Sequence, residues 1–243
     1  PGVGLPTQGP SCPGNHYGTG VLPANPVSHV ETINALRVHF RHWVMRGLAP
    51  PPSRWPRLSD ATLVPAHQAA MGFPVLPGLR PTLPEPDFIM PVIDYDWGPQ
   101  FDPVDGSGVV SHAPPPIRQV LPMYAPKVDA DGNERGGVRM PDLDVPVATH
   151  LGWNPRHPSI GGEGQVVDMQ GSALPFPRTA PERVNTRDVR ASLAERYPSR
   201  HAYLDRVRTQ AAALAAAGYL LSEDVDAAVE IAAIRWDWAI ADR

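Results

Sequence analysis

Proline sets the terms on which this chain can fold: 32 of its 243 residues are proline, more than twice the usual share of about 5%. Each one removes a backbone donor, disrupts a continuing helix and is excluded from central strands, so most must occupy loops, turns and strand ends. A large irregular fraction is therefore expected. Regular structure is confined to the intervals that proline leaves free, and the first long one is Ser28 to Gly47, SHVETINALRVHFRHWVMRG. Within it Val30, Ile33, Leu36, Phe40, Trp43 and Val44 recur at steps of three and four, which places them on one face of a helix. Ser28 with Glu31 predicts a capping box at its start, and Gly47 a left-handed stop. That face requires a partner surface.

An apolar content of 42% is enough for a core in one large domain or two small ones. A net charge of -4 and the lack of any basic run exclude a nucleic-acid footprint, so no polyanion partner is expected. Cys12 stands alone, which rules out a disulfide within the chain and a cysteine-based metal site; it is a small loop residue or the partner of a cysteine elsewhere. No apolar run approaches the ~18 residues of a membrane span, and no signal peptide is visible. The missing initiator methionine, and a start in loop-like sequence, lead us to expect the later part of something longer.

Residues 1–27 are too dense in glycine and proline for either periodicity, and read as a long loop. His16 is the one ionisable side chain there: a surface histidine, or a general base exposed on a loop after a strand. Pro50 to Pro52 force an extended run that Arg54 and Trp55 are placed to pin, and Asp60 to Val64 predict a short strand. From Pro65 to Pro116 prolines alternate with Phe73, Phe88, Tyr95, Trp97 and Phe101 without a period, a pattern ordered only by lying on another surface. Residues 117–153 form the clearest β region. A strand from Val120 to Val128 leads into the turn Asp129 to Asn133, a return strand starts at Val138, and Val145 to Leu151 is extended. The DADGN turn resembles a calcium loop only superficially: its glycine is fourth rather than sixth, and Met140 stands where the bidentate glutamate belongs. It predicts a solvated hairpin turn.

Residues 154–185 read as loop. Ser192 and Glu195 predict a second capping box. Ser199 caps a helix carrying the stripe Tyr203, Val207, Ala211 and Leu214 and ending at Gly218. Ser222 caps the last helix, with Val225, Val229, Ala232, Trp236 and Ile240 on its face. Together these give an αα-hairpin over residues 199–240.

No G-x-S-x-G, H-E-x-x-H, P-loop or dinucleotide glycine pattern occurs. Ser107 in DGSGV lacks the nucleophile spacing, and Ser172 in QGSAL lacks the second glycine. His39 and His42, three apart on the first helix, have no third ligand at readable spacing, so neither metal nor cofactor is expected.

The blocks NPVSHVETINALRVHFRHWVMRG, PPPSRWPRLSDATLV, FPVLPG, YAPKVDADGNERGGVRMPDLDVPVATHLGWN, GSALPFPRTAPER and SLAERY, in that order, resemble the C-terminal half of a bacterial family of α/β-hydrolase-domain proteins, proline-rich serine esterases. The resemblance implies an α/β hydrolase, C-terminal portion. Residues 1–47 would be the end of the core, with the histidine-side loop and the closing helix on a parallel sheet formed by preceding residues. Residues 48–243 would be a wrapping extension that contains the β region 117–153 and the helical hairpin. The nucleophile, the acid and the oxyanion hole would belong to an upstream segment or chain, the main expected partner. His16 does not match the family's histidine position and is only the best candidate present. Trp97 and Trp153 would roof a cleft for a small ester substrate. A periplasmic or secreted location is the expectation. The alternative is a non-catalytic proline-rich scaffold or binding subunit that docks a partner chain or glycan. Weaker still is a regulatory module with the αα-hairpin as its interaction surface.

Overall fold

The computed structural model describes residues 19–80, 83–84, 91–162, 164–167 and 169–241. His16, Cys12 and Phe88 lie outside the described residues.

The first helix is Val30–Arg46 (α1). Gly47 ends it with φ +69°, its N–H donating to the Trp43 carbonyl at 2.9 Å. The predicted capping box does not form. The N-cap is His29, and the Ser28 hydroxyl accepts from Val30 N–H at 3.1 Å, one turn position too early. Glu31 does not reach back; its carboxylate acts electrostatically on the buried Arg235 guanidinium. The face opposite the apolar stripe packs inward, with Ala35 fully buried and Thr32 Oγ1 3.2 Å from Met140 Sδ. The stripe itself stays open: Ile33 is 37% exposed, Leu36 41%, Trp43 52% and Phe40 61%.

Among the described residues every strand pair is antiparallel and two-stranded. Leu63–Pro65 (β1) pairs with Tyr124–Pro126 (β6), while Ile93–Tyr95 (β2) pairs with Ile117–Val120 (β5). Phe101–Asp102 (β3) pairs with Ser107–Gly108 (β4), and Ala148–Leu151 (β7) with Ser172–Pro175 (β8). Apart from the local β3–β4 hairpin the partners are distant in sequence, and three local expectations are corrected. β6 does not fold back on a strand at Val138; that stretch runs instead into the helical turn Pro141–Asp144 (α3). Residues 154–185 are not all loop, since β8 completes the ladder of β7 and is followed by Ala180–Thr186 (α4). The DADGN turn, closed by a bridge between Val128 and Glu134 with Gly132 at φ +82°, is not solvated: Asn133 is fully buried and Asp131 pairs with Arg196.

The C-terminal part follows its local signals closely. Ser192 and Glu195 make a complete capping box at Leu193–Arg196 (α5). The Ser199 hydroxyl accepts from Ala202 N–H at 3.1 Å to open Arg200–Ala216 (α6), whose buried residues are Tyr203, Val207, Ala211 and Leu214. Ser222 is a correction: it starts a 3-10 turn, and Val225–Ile240 (α7) begins after Asp224 with no side-chain cap. α6 and α7 pack on each other, and Tyr203 stacks on Trp236 at 5.0 Å, with Tyr197 edge-on to both. Val145, Val147, Phe176 and Leu193 complete this core. Ile240, predicted for the same face, is 42% exposed at the helix end. A second core, under β1, β6 and β7, contains Ala66, Met71, Phe73, Leu76, Ala125, Val128 and Leu151.

Candidate functional site

The second core is incompletely filled. A cavity of about 190 Å³ lies between the turn Gln68–Met71 (α2), β6, β7 and the DADGN turn. Met71, Phe73, Ala125, Val128, Leu151 and Trp153 give it an apolar wall, and Glu134 and His150 are its titratable members.

The wall is held by the backbone of β7. Because VPVATHL is an almost unbroken apolar run, β7 is buried on both faces. The Asn133 side chain acts as a short extra strand, its Nδ2 donating to Ala148 O at 3.2 Å and its Oδ1 accepting from His150 N–H at 2.8 Å. Thr149 turns the other way, its hydroxyl donating to Asp131 O and accepting from Arg190 Nη1 at 2.8 Å. Arg190, 2% exposed, is neutralised by Asp188 at 2.6 Å and donates to the carbonyls of Leu174 and Pro175, which fixes β8 beside β7. Gly132 must stay without a side chain: a Cβ there would stand 2.9 Å from Thr149 Cγ2. Trp153 meets Phe73 at 6.0 Å and 48°, an aromatic corner, while its carbonyl accepts from Ser172 Oγ at 2.7 Å.

His150 is 6% exposed, and both ring nitrogens are buried without a hydrogen-bond partner. Burial disfavours the charged ring and brings its pKa down to about 4, so the imidazole is neutral at physiological pH. Glu134 lies where the cavity meets solvent, for it both lines the wall and is exposed. Desolvation by the wall nevertheless raises its carboxyl pKa.

Of the side chains singled out in the sequence, Trp153 lines this cavity and Trp97 does not. Trp97 stands in a separate stack, 5.3 Å from Tyr95 and 5.1 Å from Phe101, on the arm formed by β2 to β5. Ser172 is fully buried and bonded to backbone, and Ser107 is exposed on the β3–β4 hairpin. One serine and histidine do meet: His157 Nδ1 is 2.7 Å from Ser159 Oγ and also accepts from Ser159 N–H, which makes it the cap of the 3-10 turn Pro158–Ile160. Among the described residues no three His, Cys, Asp or Glu side chains come together as a metal site, and no helix is long and apolar enough to cross a membrane. Sequence reasoning passed over His150 and Glu134. The signal for His150 was present, because a lone histidine inside VPVATHL must be buried.

A largely apolar cavity with a few convergent polar groups has the make-up of a small-molecule site. The chain belongs to a family described as alpha/beta hydrolase domain, which matches residues 6–230. No curated protein and no solved structure matches it.

Proposed function

We propose that the chain is the C-terminal part of a serine-dependent carboxylic ester hydrolase, covering the catalytic core and shaping the substrate cleft. The observation that carries this reading is the exposure of α1 in a member of the alpha/beta hydrolase family. Its large apolar side chains lie on one open face while the opposite face is packed, as expected of a helix that closes a sheet.

In this reading the nucleophilic serine, its acid and the oxyanion hole come from residues other than the 243, and hydrolysis proceeds through an acyl-enzyme with a histidine as proton shuttle. The 66–153 region supplies the cleft wall, with Trp153 as its substrate-facing aromatic. The absence of G-x-S-x-G from the sequence, and the buried, backbone-bonded state of Ser172, support an external nucleophile. Treating the assembled protein with a fluorophosphonate probe tests this. The expected result is one labelled serine outside this chain, and labelling of a serine within the 243 residues contradicts it.

A further inference from the structure

We infer that the cavity beneath β7 binds a small organic ammonium ion, a primary amine carried on a compact apolar body. Three observations converge on that class. The wall is aliphatic and aromatic, and it includes the tilted Phe73–Trp153 pair, aromatic side chains of the kind whose ring faces attract a cation through the quadrupole. Among the described lining residues Glu134 is the one acidic side chain and none is Lys or Arg, and no described cation forms an ion pair with its carboxylate. Arg139 bonds to Asp129, Asp144 and the main-chain carbonyl of Glu134 rather than to its carboxylate.

His150 supplies the independent observation. It is more than nine-tenths buried, lines the cavity and leaves both ring nitrogens without a protein partner. An unsatisfied buried polar group is costly, so a donor that reached it would be favoured. A neutral imidazole has one nitrogen able to accept, and an ammonium ion supplies a donor for such an acceptor and a counter-charge for the Glu134 carboxylate. A carboxylate ligand would meet Glu134 with like charge, and a neutral ligand would gain nothing from it. The volume, about 190 Å³, accommodates a single-ring amine; a dry engineered cavity of roughly 150 Å³ is known to take benzene.

This inference rests on the proposed ester hydrolase reading only in naming the substrate, which would then be an ester bearing an amino group. The binding itself is measured without hydrolysis. Benzylammonium, benzyl alcohol and benzoate are titrated separately into the full chain at pH 8, with calorimetry for stoichiometry and the His150 ring resonances as reporter. Benzylammonium is expected to saturate one site and move those resonances, binding at least about tenfold tighter than benzyl alcohol. Glu134→Gln should erase that preference while leaving benzyl alcohol within about twofold, and Trp153→Leu should weaken the ammonium ion again. Equal binding of the alcohol, tighter binding of benzoate, unchanged preference in Glu134→Gln, or no saturable binding overturns the inference. Fluorophosphonate labelling of the assembled protein is read separately, so failure of this binding and failure of the hydrolase reading are distinguished.

Discussion

His150 couples the fold to pH through a simple linkage. Its folded-state pKa of about 4 lies below the ordinary 6.5, so the unfolded chain binds more protons between those values. Stability is therefore fully present above pH 6.5 and falls as the pH drops towards 4. The loss amounts to on the order of 3 kcal/mol. Urea unfolding from pH 7.5 to 4.5 should show this slope in the native chain and lose most of it in His150→Gln. A second contrast at this scale separates buried from exposed charge. Asp188→Ala leaves Arg190 buried and uncompensated and should cost about 3–5 kcal/mol. Removing Asp237, whose pair with Arg200 is roughly half exposed, should cost less than about 1 kcal/mol. Denaturant midpoints of the two variants measure both.

Among the elements, the local signals divide into those that had only sequence neighbours to satisfy and those that depended on remote partners. Ser192, Ser199 and the α6 stripe were legible because a cap and a helical face are decided within four residues. Ser28 read equally well and is not the N-cap, and Glu31 lies instead within the field of Arg235, about two hundred residues away. Ser192→Ala should thus cost about 1 kcal/mol and Ser28→Ala only a few tenths. Thermal unfolding of the two single variants distinguishes them. The strand pairings were not legible for the same reason: Tyr124–Pro126 finds its partner some sixty residues earlier, and nothing in a proline-broken β segment specifies which other segment it meets. The cavity inherits this difficulty. Met71, Phe73, Glu134, His150 and Trp153 carry no shared motif, and the site exists only once β1, β6 and β7 are side by side.

At the scale of the whole molecule, the described residues form three hydrophobic clusters, the third from Met140, Ala211, Leu214, Tyr219 and Leu220, and leave one long apolar helix face uncovered. Burying such side chains is worth about 1.5–3 kcal/mol each relative to exposure, so a face with six of them represents a substantial binding surface. The chain belongs to the alpha/beta hydrolase domain family, and our proposal places α1 against strands that other residues provide. The most direct test uses Phe40→Cys in a Cys12→Ser background, comparing maleimide labelling of the chain alone with that of the assembled hydrolase. We predict rapid labelling alone and at least about tenfold protection after assembly, with unfolding stability of the isolated variant within about 0.5 kcal/mol of the parent. Equal labelling in both states would contradict a closing role for α1.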